Sequence, residues 1–109
     1  VDMSLENIQR VQLGFRQVMS GSQGTAASYF KGASYNPAGK TGTAEIGSNY
    51  NLTLVEYAPY EDPEIAAAIV IDNINTSGSG INKKIGRRIL DTYFERGSST
   101  STDTDTETE

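Results

Sequence analysis

The sequence predicts an α+β domain in which helices pack on the face of an antiparallel sheet, with a disordered C-terminal tail. Residues 4–20 and 81–96 place apolar side chains at three- and four-residue steps, as amphipathic helices do. Three segments between them have the composition of strands and are joined by short turns, which favours antiparallel pairing. The last twelve residues contain no apolar side chain.

The first helix is predicted over residues 4–20. Ser4 suits the N-cap position and Glu6 suits the positive end of the helix dipole. Gly21 follows as a natural stop signal. The stripe predicted to pack on the core consists of Ile8, Val11, Phe15, Val18 and Met19.

A connector over residues 21–37 leads into the first predicted strand, residues 38–46. The connector is rich in Gly, Ser, Thr and Ala, and Pro37 disfavours helical backbone at Asn36. Two glycines inside the strand favour close approach by a ligand or by another backbone. A turn is predicted at residues 47–51.

Residues 52–58 and 64–73 are predicted to form a hairpin, with the 38–46 strand beside it. The first of these strands alternates and is rich in Thr, Val and Tyr. The second contains the apolar run IAAAIVI, which suits a strand buried on both faces. The loop between them carries two prolines.

The second helix is predicted over residues 81–96, with Gly97 ending it. Its apolar stripe is centred on Ile81, Ile85 and Ile89. A basic cluster lies on the other side and is interpreted as a solvated helix face. The cluster consists of Lys83, Lys84, Arg87 and Arg88.

The tail, residues 98–109, reads SSTSTDTDTETE and is predicted to be disordered. A polar, self-repelling segment buries too little apolar surface to offset the entropy lost on ordering it. The net charge of the chain is −5, and the tail carries four of those negative charges. Residues 1–97 are therefore nearly neutral and form the predicted folded portion.

Composition excludes several classes of site. The chain has no His and no Cys, which removes imidazole and thiolate metal ligands, thiol nucleophiles and Ser-His-Asp catalysis. No metal ion or cofactor is expected. No stripe of Lys and Arg suits a phosphate backbone, so no nucleic-acid partner is expected. The longest apolar run is too short for a membrane span, which needs about 20 residues.

The most informative stretch is Gly39-Lys40-Thr41-Gly42-Thr43. A phosphate-binding loop would need an earlier glycine at position 34, which is Ser, and a helix afterwards rather than a strand. A Lys-Thr-Gly strand of an acyl-transfer site fits better. Lys40 offers a positive charge to a substrate carboxylate and Thr41 and Thr43 offer hydroxyls. Gly42 leaves room for substrate backbone, and the Thr43 N–H can serve in an oxyanion hole, worth about 3 kcal/mol.

Around this motif the chain resembles class B penicillin-binding proteins, the monofunctional peptidoglycan D,D-transpeptidases. The resemblance runs from about Leu5 to Phe94. It rests on GFRQVMS, Gly24-Thr25-Ala26, NPAGKTGTAEI and LVEYAPYEDPEIAAAIVI, followed by a Gly-Ser-Gly turn and a closing helix. It implies part of the serine beta-lactamase/transpeptidase-like fold, namely the last three strands of a five-stranded antiparallel sheet and the C-terminal helix.

The resemblance also implies a serine acyl-enzyme mechanism. A stem peptide ending in D-Ala-D-Ala acylates a serine and a neighbouring amine then takes the acyl group, while beta-lactams acylate the same serine. Lys40 and Thr43 are the implied catalytic residues, and Lys40, Thr41, Gly42 and Thr43 are the implied substrate-binding residues. The implied location is the extracytoplasmic face of the cell membrane, with the anchor outside this chain. A glycosyltransferase in a divisome or elongasome complex is left open as a partner.

The family's other motifs, Ser-x-x-Lys and Ser-x-Asn, have short matches here that we interpret as coincidental. They are Ser28 to Lys31 and Ser34 to Asn36. Such short motifs occur by chance at this length. Only eight residues separate Lys31 from Lys40, too few for the buried helix and the return to the sheet that the family implies. We therefore expect residues 1–97 to be the C-terminal portion of a transpeptidase domain, inactive without the segment that carries the nucleophile.

Two alternatives remain at this point. One keeps the fold and changes the chemistry to a class D beta-lactamase or a beta-lactam sensor domain. The other is a small non-catalytic interaction module in which KTGT is incidental.

Overall fold

The computed structural model describes residues 2–98 and has the predicted α+β architecture. In chain order it contains α1 (Leu5–Ser20), a 3-10 turn (Ala27–Tyr29), β1 (Ala38–Ile46), β2 (Asn49–Ala58), β3 (Ile65–Ile74) and α2 (Ile81–Ser98). The predicted stop at Gly97 is wrong, because α2 continues through Ser98. The predicted tail falls almost wholly on residues 99–109, which lie outside the described residues, so the domain boundary after residue 97 stays a prediction.

Helix α1 begins and ends where the sequence indicates. The Ser4 hydroxyl accepts a hydrogen bond from the backbone N–H of Asn7, which satisfies one of the helix's free N-terminal donors. Only Met19 of the predicted stripe is fully buried, and Val11 is exposed. The C-terminal end of α1, rather than the whole stripe, contacts the rest of the described residues.

The sheet has three strands in the order β1-β2-β3, all antiparallel. β2 begins at Asn49, three residues earlier than predicted, because the turn from β1 needs only two residues. Gly47 takes the first turn position with φ of +63°, a conformation that glycine adopts without steric cost. Ile46 and Asn49 therefore pair directly across the turn.

The face of the sheet that carries Leu52, Leu54 and Ala58 is buried under α2. The centre of the helix face against it is Asn82, Gly86 and Leu90, all buried. The predicted stripe of Ile81, Ile85 and Ile89 is only half-buried and flanks this centre. Leu90 is recognisable from the sequence as an apolar neighbour of that stripe, whereas periodicity missed Asn82 and Gly86 because one is polar and the other is small. The Asn82 side-chain amide donates to the Thr53 carbonyl at 2.8 Å.

β3 is not buried on both faces within the described residues. Its burial alternates, with Ile69 buried and its neighbours Ala68 and Val70 exposed. Val70 is 65% exposed and Val55, on the same sheet face, is 51% exposed. The apolar run therefore presents an open apolar surface on the side of the sheet away from α2.

Arg87 does not belong to a solvated basic face. Its Nε donates to both carboxylate oxygens of Asp91, at 2.8 and 2.9 Å. Its Nη1 donates to the backbone carbonyls of Tyr29, at 3.3 Å, and Lys31, at 2.9 Å. Arg87 thus fixes the connector between α1 and β1 to helix α2, and its partly buried position makes these charge-assisted bonds structural.

Glu56 places an ionisable carboxyl group in the core. It is 2% exposed, lies on the α2 side of the sheet, and its two carboxylate oxygens find no hydrogen-bond partner within residues 2–98. A Cβ placed on Gly86 would lie 2.7 Å from Glu56 Oε1, so the helix backbone passes directly over the carboxyl group. Burial raises the pKa of Glu56 from 4.5 to about 8 because it disfavours the charged form.

We predict that the contribution of Glu56 to the free energy of unfolding decreases as the pH rises. Because its pKa is higher in the folded state, its favourable contribution is complete below pH 4.5 and is lost as the pH rises to about 8. Glu56→Gln removes this titration. The free energy of unfolding of the variant minus that of the wild type should therefore increase by on the order of a few kcal/mol from pH 4.5 to about 8.

Urea denaturation at a series of pH values measures this difference. Glu45→Gln, at an exposed position of β1, is the matched control and should follow the wild type. Parallel curves for Glu56→Gln and the wild type would contradict the prediction.

Candidate active site

The candidate site lies on β1, at one edge of the sheet. Within residues 2–98, β1 pairs only with β2, so its other long edge is open there. Lys40 pairs with Val55 and Thr41 with Leu54. Because directly paired side chains share a face, Lys40 and Gly42 lie on the open face, and Thr41 and Thr43 lie on the α2 face.

Lys40 is exposed at this edge. Its Nζ donates to the backbone carbonyl of Thr41 at 2.8 Å, which holds the ammonium group beside the strand. The arrangement gives a positive charge that a carboxylate ligand can approach from solvent.

The two predicted threonines differ in environment. Thr41 is half-buried, and its hydroxyl lies 3.1 Å from the hydroxyl of Thr25 in the connector. Thr43 is exposed further along the strand, on the same face by alternation. The structure therefore brings Lys40, Thr41 and Thr43 to one edge and adds Thr25 to them.

Gly42 packs closely against the side chain of Thr53 in β2. A Cβ at this position would lie 2.5 Å from Thr53 Oγ1, closer than real Cβ contacts allow. Absence of a side chain also leaves the strand backbone accessible beside Lys40. The packing on Thr53 and the accessible backbone both agree with the close approach by another group that a glycine inside a strand indicates.

The start of β1 is fixed by a cluster of hydrogen bonds around Asn36. Arg16 of α1 donates to the Pro37 carbonyl at 2.9 Å and to the Asn36 side-chain oxygen at 3.4 Å. The Asn36 amide donates to Glu61 at 2.8 Å, and its carbonyl accepts from the N–H of Tyr60. Asn36 has φ of +50°, which Asn tolerates better than most residues. These bonds connect α1, β1 and the β2–β3 loop at one point.

An open cleft of about 440 Å³ lies next to Lys40. Its other walls are the last turns of α1 and the connector that follows, including Gln17, Gly24 and Thr25. The cleft gives the Lys40 end of β1 a bounded surface rather than a flat one. A ligand extending from β1 towards the connector would enter it.

The residues that match Ser-x-x-Lys and Ser-x-Asn lie in the connector before β1. Ser28 is in the 3-10 turn Ala27–Tyr29, which is a single turn and not the start of a long helix. The Lys31 carbonyl accepts from Arg87, and the Asn36 side chain is bonded to Arg16 and Glu61. These contacts are structural, and that Ser28 is not the nucleophile stays a prediction.

Sequence reasoning missed the positional importance of Thr25, Asn36 and Arg16. In the sequence, Thr25 stands out only within Gly24-Thr25-Ala26, and Asn36 only as the residue before Pro37 and the end of a short motif. Their contacts join residues 16 to 25 positions apart, so local pattern could not reveal them.

The described residues offer no alternative metal centre. Residues 2–98 contain no cluster of three or more Asp or Glu side chains able to hold a metal ion. Neither described helix is both long and apolar enough to cross a membrane.

Comparison with known proteins identifies relatives over most of the chain. The family model for the penicillin binding protein transpeptidase domain matches residues 1–91. Penicillin-binding protein 2A of Bacillus subtilis is 44% identical over 87% of this chain, and peptidoglycan D,D-transpeptidase MrdA of Haemophilus influenzae is 27% identical over 76% of it. Each match covers 15% of the relative, so the chain spans a small part of these proteins.

Solved structures agree with the sequence matches. Penicillin-binding protein 2B of Streptococcus pneumoniae strain R6 superimposes with a TM-score of 0.76 and 31% identity. That similarity covers 87% of this chain and 16% of the other. The three-stranded sheet with its two helices is thus an arrangement found in transpeptidase structures.

We predict that the hydrogen-bond cluster at Asn36 stabilises the start of β1. Asn36→Ala loses both side-chain bonds and places an alanine at positive φ, so it should lower the free energy of unfolding by about 1–3 kcal/mol. Asn36→Gly loses the same bonds but tolerates the backbone conformation, and should lose less. Urea denaturation measures both. An alanine variant as stable as the wild type, or no worse than the glycine variant, would contradict this.

Proposed function

The chain belongs to the penicillin-binding protein transpeptidase family, and on that premise we propose that it supplies the Lys-Thr-Gly strand of a peptidoglycan D,D-transpeptidase active site. The observation that carries the proposal is the open edge of β1, where Lys40, Thr41, Gly42 and Thr43 lie together. A charge, two hydroxyls and an accessible backbone at one strand edge suit a peptide that ends in a carboxylate.

The proposed reaction is acyl transfer in two steps. A serine oxygen attacks the carbonyl carbon between the two D-Ala residues, an ester forms, and the terminal D-Ala leaves as an amine. The amine of a second stem peptide then attacks the ester, forms the cross-link and releases the serine. A beta-lactam acylates the same serine, but its ring opens and the leaving amine stays attached.

Each site residue has a proposed role in that reaction. Lys40 attracts the terminal carboxylate of the stem peptide, and the hydroxyls of Thr41 and Thr43 donate hydrogen bonds to it. The N–H of Thr43 is one donor to the oxyanion that forms on the attacked carbonyl. Gly42 lets the substrate backbone lie against the strand.

The nucleophile is proposed to lie in another part of the same protein, which carries Ser-x-x-Lys and Ser-x-Asn. Two observations support this. The chain spans only about 15% of its curated relatives. The sheet face away from α2 is apolar and exposed, with Val55, Val70, Ala66 and Ala68 on its surface. Apolar surface of this kind is typical of an interface, and we propose that the nucleophile-bearing segment covers it.

The domain assignment and cellular location are proposed on the same basis. Residues 1–97 form the C-terminal portion of the transpeptidase domain, and residues 98–109, which are rich in Ser, Thr and acidic side chains, form a separate tail. The protein is proposed to act at the extracytoplasmic face of the cell membrane. A glycosyltransferase of a divisome or elongasome complex would supply the glycan strands that it cross-links.

Labelled penicillin applied to the full-length protein tests the function. Lys40→Ala should slow acylation by about 10²–10³-fold, because a charge that orients the substrate is lost. Ser28→Ala and Lys31→Ala are the matched controls and should acylate at the wild-type rate. Slow deacylation is expected of a transpeptidase, whereas rapid turnover would indicate a beta-lactamase.

Two results would contradict the proposal. One is a normal acylation rate in Lys40→Ala. The other is covalent label on Ser28 itself, found by peptide mass spectrometry, since it would place the nucleophile inside this chain.

A further inference from the structure

Thr25 contacts the candidate site from outside the strand that carries it. Its Oγ1 lies 3.1 Å from Thr41 Oγ1, and either hydroxyl can be the donor in this pair. Sixteen residues separate the two threonines, so the contact joins the connector to β1. Thr25 also lines the cleft beside Lys40.

The backbone around Thr25 is held firmly against the end of α1. The N–H of Ala26 donates to the Val18 carbonyl at 3.1 Å, and the Ala26 side chain is fully buried. The N–H of Gly24 donates to the Gly21 carbonyl at 2.9 Å. A Cβ on Gly24 would meet the carbonyls of Gln17 and Val18, so the connector lies directly on the helix. Thr25 is therefore presented to β1 from a fixed backbone.

The proton count of the two hydroxyls decides the direction of their hydrogen bond. Each threonine hydroxyl has one proton to donate and lone pairs to accept, while a carboxylate only accepts. When Thr41 donates its proton to a substrate carboxylate, it can take part in the contact with Thr25 only as acceptor. Thr25 must then donate. A hydroxyl that accepts one hydrogen bond is a better donor of the next, because the two bonds polarise each other.

We propose that Thr25 is a positioning residue for carboxylate recognition: it donates to Thr41 and so directs the Thr41 proton to the substrate carboxylate. The inference rests on the proposed function above and adds a residue to it. Thr25 itself need not touch the substrate. Its effect is confined to ligands that carry the carboxylate.

The test compares two substitutions in the full-length protein. Thr25→Val keeps the side-chain shape and removes the hydroxyl, whereas Thr25→Ser keeps the hydroxyl. The rate constant for acylation is measured with benzylpenicillin and with its methyl ester, which lacks the anion. Thr25→Val should slow the reaction with benzylpenicillin by roughly threefold to tenfold, the value of one hydrogen bond. With the methyl ester, Thr25→Val should react at the wild-type rate. Thr25→Ser, which keeps the hydroxyl, should react with benzylpenicillin at the wild-type rate.

A double-variant cycle with Thr41→Val checks that Thr25 acts through Thr41. Once Thr41 has no hydroxyl, adding Thr25→Val should cost nothing further. Additive losses would overturn the inference, as would equal slowing with acid and ester, which indicates a general structural role. A Thr25→Val variant as fast as the wild type would also overturn it.

Failure of the proposed function would look different. If the wild-type protein is not acylated by either probe, the transpeptidase assignment fails. The role of Thr25 in carboxylate recognition then fails with it. If the wild type is acylated and Thr25→Val behaves like it, only the inference about Thr25 fails. Thermal unfolding of each variant shows whether a slower rate reflects loss of fold.

Discussion

The register of β1 against β2 is the constraint on which the rest of the structure depends. The two-residue turn at residues 47–48 pairs Ile46 with Asn49, and every pair back to Ala38 and Tyr57 follows from it. A slip by one residue would move Lys40 to the α2 face and Thr41 to the open face. The site therefore exists only in this register, and the turn glycine that permits it is as necessary as the motif itself.

Long-range polar contacts then fix the connector and β1 in the same frame. Arg16 holds the start of the strand, Arg87 holds the residues after the 3-10 turn, and Thr25 reaches Thr41. Arg16 and Arg87 come from the two helices, whereas Thr25 lies in the connector and contacts β1. Ala26 and Phe30 of the connector are also buried in the core. The conformation of the connector thus depends on tertiary contacts with α1, β1 and α2, which makes it a property of the assembled fold.

The packing of α2 on the sheet depends on a glycine and on the protonation of a buried carboxyl group. Gly86 allows the helix backbone to come close to Leu54 and to the buried carboxyl of Glu56. Burying that carboxyl is unfavourable when it is charged, so this helix-to-sheet contact has a built-in sensitivity to pH. Close packing is obtained here at the expense of stability that is lost as the pH rises from 4.5 to about 8.

Local patterns predicted the elements well and their surroundings less well. The cap at Ser4, the strand at 38–46 and the hairpin followed from residue type and spacing, because these signals act over a few residues. Burial of β3 on one face and the Asn82–Gly86–Leu90 centre of α2 depend on what lies opposite, which periodicity does not contain. Likewise the Lys40 to Thr43 motif was visible as a string, whereas Thr25 and Asn36 became relevant only through tertiary contacts.

Hydrogen exchange of the full-length protein, before and after acylation by a beta-lactam, tests the central claim that the open edge of β1 receives the ligand. Added protection is expected on peptides covering residues 38–46. Peptides covering residues 65–74 should be unaffected. Protection confined to residues 65–74, or none at residues 38–46 despite complete acylation, would contradict the account.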